Sequence, residues 1–429
     1  MRPAAPAPTS QALPAAPGPS PRHRAAWAFA TVVAALAAIA AAGRFYYPDA
    51  ALHWMRLYAI RDFHGLGDLW TFLAGLRTAI PPIFAAAEIT LHLVIGEIRI
   101  PLAIGYYASL IACFVIAVQL QLSDVDRVAS LGLSLLLAAG VTRSHYVNPE
   151  PYDLYVPALA TALLAVALSP PSRWPGWAAA GIALSVLELS RPFMLAGAAI
   201  LAVPLIHRAA RRGGAAVWAL LLPVAVLSGG WHAKLLLVHG QLSISNNGAF
   251  NVADAAQTVG FKITMPALEP ETPNPKRAGW IDLNTDTRAR NNAALSRALL
   301  AAVVADPLGA VKAVARRYVK FLALPTTMYG KDFDSPILTP YRWLVRVGVV
   351  LSALAGLVLL VRRGWRVVID PVANFLLYSG LVLFCVAVCT AAEEMRLATE
   401  FSPTLSLLPL VIRTAVEPDP GRAAAQAAR

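Results

Sequence analysis

A carboxylate, several arginines and a histidine stand where long apolar runs meet polar segments, and these side chains are equipped for chemistry. Asp49, in Tyr46-Tyr47-Pro48-Asp49, directly follows the first apolar run. At a water–lipid boundary its carboxylate can act as a general base, or it can simply cap the helix predicted by the spacing of Leu52, Met55 and Ala59. Arg143, His145, Asn148, Glu150 and Asp153 crowd between two further apolar runs. Ionisable groups at a membrane edge are costly unless they pair or face a cavity, so this segment is either a site or a well-solvated loop.

Ser190-Arg191-Pro192 places an arginine at a turn with almost no loop around it. The planar guanidinium suits phosphate oxygens, and snorkelling to the interface is the plainer reading. Asn247, in Asn246-Asn247-Gly248, reads as part of a turn that either meets a sugar or has no function. Glu393-Glu394-Met395-Arg396 sets acid beside base, for internal neutralisation or for holding a phosphate.

The elements that must position these residues are helices in lipid. Of 429 residues, 58% are hydrophobic and 14% charged, and the mean hydropathy is +0.59. An ordinary soluble domain carries about 25% charged residues. Apolar runs fall at 26–43, 81–96, 100–120, 128–142, 154–169, 175–190, 192–206, 215–237, 341–361, 371–391 and 401–413. Crossing a hydrocarbon core takes about 20 helical residues. The runs are continuous in Ala, Leu and Val, which excludes a barrel of alternating strands. The expected fold is an all-α polytopic membrane protein with about ten transmembrane helices, one surface-lying juxtamembrane helix and one large extracytoplasmic loop domain. The surface helix is 81–96, which opens with Pro81-Pro82, carries Glu88 and His92, and ends at Gly96-Glu97-Ile98-Arg99.

With 81–96 kept on the surface, the clusters at Arg22 and Arg24, Arg173, Arg208 to Arg212, Arg362 to Arg366 and after Arg413 alternate to one side. The positive-inside rule puts that side, and both termini, in the cytoplasm. The predicted organisation is a disordered tail (1–24), a membrane module (25–237) with a first outer loop (44–99), an outer loop domain (238–340), C-terminal membrane helices (341–413) and a second disordered tail (414–429). The run at 26–43 reads as an uncleaved anchor because of its length. The net charge of +12 orients the chain in the membrane and does not point to nucleic acid. Cys113, Cys385 and Cys389 all lie inside apolar runs, where they read as small core residues and form no zinc-site pattern.

Within 238–340, Pro266, Pro270, Pro273 and Pro275 predict an irregular middle. One clear helix follows, with Asp306 as cap and Pro307 at its first position. Leu308, Val311, Ala315, Tyr318 and Leu322 form a stripe opposite Lys312, Arg316, Arg317 and Lys320. The helix is expected to rest on the membrane, and binding of an anionic lipid head group is the sharper reading.

Taken in order, Asp49, Pro81-Pro82, Arg99, Glu150-Pro151, Ser190-Arg191-Pro192 and Glu394-Met395-Arg396 resemble the hallmarks of the GT-C superfamily of membrane glycosyltransferases. The likeness is to bacterial enzymes that use polyprenyl-phosphate sugars and are related to protein mannosyltransferases and the aminoarabinose transferase of lipid A. It implies transfer of a sugar from a polyprenyl-phosphate donor to a lipid, glycan or protein acceptor, outside the bacterial inner membrane and with inversion. By the same resemblance Asp49 is the general base. Arg191 and Arg396, then Arg99, Arg143 and His145, bind the donor phosphate. Glu150, Asn247 and Glu394 meet acceptor or sugar.

A lipid phosphate departs without needing a proton, so one carboxylate suffices where most glycosidases use two. No cofactor is obligatory, and a divalent cation is an option, although Asp49-Ala50 stands where the family often has two acids. Ile80-Pro81-Pro82 in place of His-Pro-Pro argues against a typical protein O-mannosyltransferase. A glycan ligase or polymerase of the O-antigen type would share the donor but rely on Arg and His of the outer loop. A lipid or solute transporter would more typically show internal repeats.

Overall fold

The computed structural model describes residues 63–77, 82–96, 152–191, 194–240, 246–273, 281–323, 327–328, 331–332, 338–389, 404–405 and 407–417, and these are mostly helical. Two helices precede the main bundle, α1 (Leu66–Gly75) and α2 (Pro82–Ile95). The bundle contains α3 (Tyr152–Leu168), α4 (Trp174–Glu188), α5 (Met194–Arg212) and α6 (Gly214–His239). The stretch 246–323 contributes α7 (Gly248–Gln257), α8 (Asp286–Ala305) and α9 (Pro307–Ala323). Next come a two-residue hairpin, β1 (Thr327–Met328) antiparallel to β2 (Lys331–Asp332), and then α10 (Leu338–Arg363), α11 (Pro371–Cys389) and α12 (Leu408–Val416).

Among the described residues, α5, α6 and Trp343–Val368 are long and apolar enough to cross a membrane. The bent pair α8 and α9 raises the number to four if it counts as one broken span. The predicted runs at 26–43, 100–120 and 128–142 lie outside the described residues. At 14 residues, α2 is about 21 Å long, too short by itself for a core of about 30 Å. The outward faces of α6 and α10 carry exposed apolar side chains: Trp218 is 71% exposed, Leu237 83% and Val361 77%. Water would penalise such belts by about 25 cal/mol for each Å².

Inside, Val156, Leu163, Trp177, Leu184, Leu201, Leu220, Phe375 and Tyr378 join α3 to α6 with α11 in one core. Close approach there depends on two glycines. A Cβ on Gly181 would sit 2.2 Å from the Leu220 carbonyl oxygen, so α4 and α6 meet backbone to backbone. Ser185 Oγ, one turn on, donates to the Gly181 carbonyl at 3.0 Å and reaches the Pro223 carbonyl at 3.5 Å. Gly197 lies under the Tyr378 ring, where a Cβ would come within 3.0 Å. Asn374 Nδ2 ties α11 to α5 by donating to the Ile200 carbonyl at 2.9 Å, and also donates to Val368 at 2.8 Å.

Pro223 lies within α6 and is followed by a π turn at Ala225–Gly229. Proline lacks the amide hydrogen that closes a helical turn, and a wide turn absorbs the misfit while rotating the face presented by the residues beyond it. Those residues include His232 and Lys234.

The stretch 246–323 departs from the sequence expectation in two ways. Residues 261–272 are irregular, in keeping with their prolines, but α7 and α8 accompany the single helix expected. The hydrophobic period of α8 is hidden because Arg288, Asn291 and Asn292 occupy its buried face. Helix α9 starts where predicted, with Asp306 Oδ1 accepting from the Gly309 amide at 2.7 Å. Leu308 and Val311 of the apolar stripe are exposed, and the departure is Arg317, expected on the polar face but only 2% exposed. Arg317 Nε donates to the Ala387 carbonyl in the last turn of α11 at 2.8 Å, and Nη1 reaches Thr258 Oγ1 at 3.1 Å. A helix C-terminus offers unpaired carbonyls and partial negative charge, and these draw a cation inward against the usual pattern.

Gly181→Ala is expected to lower stability by about 1–3 kcal/mol through overpacking of α4 on α6. Gly356→Ala, with nothing within 4 Å of the added carbon, should leave stability unchanged or slightly raised. Thermal unfolding of the two purified variants in the same detergent compares them; equal Tm values would rule out the close α4–α6 contact.

Candidate functional site

Helix α4 ends at Glu188, and the chain turns through Leu189, Ser190 and Arg191 into α5. Ser190 Oγ donates back to the Val186 carbonyl, and the Arg191 carbonyl accepts from the Met194 amide at 3.0 Å. Both ends of the turn are thereby pinned by local hydrogen bonds, and Arg191 is buried. Glu188 occupies the last turn of its helix, where the macrodipole disfavours a carboxylate. Its counterpart is His232, whose Nε2 lies 2.7 Å from Glu188 Oε1. Glu188 is 7% exposed and His232 29%, so the carboxylate is the buried partner of this contact.

Lys234 lies two residues beyond His232. Its Nζ sits 4.4 Å over the Trp231 ring and donates to the Leu76 carbonyl in the segment between α1 and α2. That segment is clamped from the other side by the start of α8. The Arg77 amide donates to Asn284 Oδ1 at 2.7 Å, Asn284 Nδ2 donates to the Gly75 carbonyl at 3.1 Å, and Arg77 Nη1 pairs with Asp286 Oδ1 at 2.5 Å. His239 Nε2 approaches the Ala74 carbonyl at 3.3 Å. Four stretches distant in sequence thus join through named contacts in two neighbouring knots, one at Glu188–His232 and one at 74–77 with 234–239 and 284–286. The knots combine a carboxylate–imidazole pair suited to moving a proton with cations suited to an anion.

A third knot ties α7 to α8 and to the irregular segment between them. Arg288 Nη1 forks onto Glu271 at 2.7 and 2.9 Å, and Nη2 donates to Asn247 Oδ1. The guanidinium also lies 3.5 Å over the Phe250 ring. Asn247 stands at the N-cap of α7, and Asn292 Oδ1 accepts from the Ala249 amide at 3.0 Å. Outside this knot, the exposed Arg290 guanidinium grips Glu269 at 2.6 and 2.8 Å and holds its carboxyl below the usual carboxylate range.

Asn247 is therefore placed in the third knot, and Arg191 at the turn that follows Glu188. Asp49, Arg99, Arg143, His145, Glu150, Glu394 and Arg396 lie outside the described residues. Sequence reading passed over Glu188, His232 and Lys234, which were absorbed into the apolar runs 175–190 and 215–237. The signal was available, since an ionisable side chain inside such a run marks a functional position by default. Among the described residues, no three His, Cys, Asp or Glu side chains converge as metal ligands.

His232→Ala should cost about 1–3 kcal/mol, because it leaves a buried carboxylate without its partner. The same substitution made on Glu188→Gln should cost clearly less, and a double-mutant cycle by thermal unfolding reads the difference; additive effects would mean the pair is not coupled. Compared with models of protein families, with curated proteins and with solved structures, the chain matches none of them.

Proposed function

We propose that this chain is an integral membrane glycosyltransferase. It moves a sugar from a polyprenyl-phosphate donor to a lipid, glycan or protein acceptor on the extracytoplasmic side of a bacterial inner membrane. The observation that carries the reading is the buried Arg191 at the α4–α5 turn, three residues beyond the Glu188–His232 pair. The ordered set from Asp49 to Arg396 supplies the rest of the family pattern.

In this mechanism the acceptor hydroxyl oxygen attacks the anomeric carbon as the bond from that carbon to the phosphate oxygen breaks. The hydroxyl proton passes to the Asp49 carboxylate, and the lipid phosphate leaves as a monoester with one more negative charge. Fixed cations at a low-dielectric boundary stabilise that charge more than they would in water. Arg191 and Arg396 take this role, with Arg99, Arg143 and His145 behind them, while Glu150 and Glu394 orient acceptor or sugar. Asn247, whose Oδ1 accepts from Arg288, joins them in meeting acceptor or sugar. The Glu188–His232 contact holds the end of α4, and with it the turn that carries Arg191.

The reading includes about ten spans, with both termini in the cytoplasm. It is supported by the partition of charge along the bundle. Arg362, Arg363, Asp370, Arg413 and Glu417 gather at one end, where Arg362 Nη1 donates to Ala415 at 2.8 Å and Arg413 pairs with Glu417 at 2.6 Å. Glu188, Arg191 and the loop domain belong to the other.

The test is transfer of radiolabelled sugar from a panel of polyprenyl-phosphate sugars by membranes holding matched amounts of native protein, Asp49→Asn or Arg191→Ala. Loss of a general base should slow transfer about 10²–10⁴-fold. Loss of one phosphate-stabilising cation should slow it about 10²–10³-fold. Undiminished transfer by Asp49→Asn would remove Asp49 as base and favour the ligase class.

A further inference from the structure

The chain bends by 108° between α8 and α9, and a cavity of about 650 Å³ opens beside the corner, under residues 259–264. Its lining is two-sided in chemistry. Lys262, Lys312 and Arg316 supply cations, while Phe261, Ala302 and Leu308 supply an apolar wall. Arg316 Nη1 donates to the Val259 carbonyl at 3.1 Å, which fixes one cation in place. Lys262 and Lys312 make no ion pair with a carboxylate among the described residues. Asp306 also borders the cavity, but its Oδ1 is occupied by the Gly309 amide.

The apolar character continues around the outside of the corner, where Leu300, Val304 and Val311 are 65%, 72% and 66% exposed. An exposed patch of this kind rimmed by cations marks a surface meant for contact. Its position says with what. Helix α9 is fastened to the bundle by Arg317 on the Ala387 carbonyl and by Arg346 Nε on the Leu322 carbonyl at 2.5 Å. Arg346 stands near the start of α10, which is long enough to cross a bilayer, so α9 is fastened beside that end of the bundle.

From this arrangement we infer that the cavity binds one anionic phospholipid from the surrounding leaflet. The phosphate lies among Lys262, Lys312 and Arg316. The glycerol and upper acyl chain lie along Phe261, Ala302 and Leu308, and Leu300, Val304 and Val311 seat the corner in the leaflet. A soluble anion would use the cations and gain nothing from the wall; a neutral lipid would use the wall and leave the lysines unpaired. The bound lipid would set the height of the loop domain above the bilayer, which goes beyond the proposed transferase activity and does not depend on it.

The experiment is native mass spectrometry of the full chain in a neutral detergent, titrated with phosphatidylglycerol, phosphatidylcholine or glycerol phosphate. The native protein should take up one phosphatidylglycerol in preference to phosphatidylcholine, and glycerol phosphate only weakly. K262A/K312A should weaken that uptake about tenfold or more. K262R/K312R should keep most of it, and R297A/K320A, which removes equal charge away from the cavity, should leave it unchanged. Equal loss in both alanine pairs would reduce the effect to diffuse attraction and overturn the site. Glycerol phosphate binding as tightly as the lipid, or no preference over phosphatidylcholine, would overturn the lipid assignment.

Discussion

A polar group taken into an apolar bundle must carry its partner with it, and that requirement organises this molecule. An unsatisfied hydrogen-bonding group in a low-dielectric interior costs several times what a satisfied one gains. The buried polar side chains accordingly act as fasteners between elements: Asn374 on α5, Ser185 on α6, Arg317 on the open end of α11, and Glu188 against His232. Helix termini are the natural anchoring points because each leaves backbone groups unpaired. The charged residues collect there, in separate sets at the two ends of the bundle, and the apolar middle is left to pack or to face lipid.

In the proposed transferase, this partition suits one bundle end to a lipid-linked substrate. At the end that carries Arg191, this buried guanidinium and the Glu188 carboxylate come from one turn, and the imidazole of His232 comes from a separate helix. The glycines and the π turn set their relative placement, since Gly181 lets α4 meet α6 closely and the wide turn after Pro223 aims His232 back at α4. In the proposed transferase, the same low dielectric that makes these groups expensive to bury strengthens their hold on a departing phosphate.

Much of the architecture could be read in the residues alone. The runs at 154–169, 175–190, 192–206, 215–237, 341–361 and 371–391 became helices with ends within a few residues, because continuous apolarity leaves the backbone no other partner in lipid. Asp306-Pro307 announced α9 for a local reason, a cap and a pre-set first dihedral. What was not legible depended on tertiary contacts. The inward turn of Arg317 is decided by the carbonyls of α11, 70 residues later in the chain. The polar core of α8 is decided by Glu271 and Asn247. Of the candidate site, Arg191 was legible from its turn, whereas Glu188 and His232 were concealed by the hydrophobicity of their neighbours.

The central claim is that the bundle end carrying Arg191 and the loop domain faces outward and the opposite, basic end faces the cytoplasm. Its most direct test is labelling of intact cells with a membrane-impermeant maleimide after Asp254→Cys in α7 or Arg211→Cys at the end of α5, with Cys113, Cys385 and Cys389 left in their apolar runs. The account predicts that Asp254→Cys labels in intact cells and Arg211→Cys only after the membrane is permeabilised. Labelling of both from the same side, or the reverse order, would contradict it.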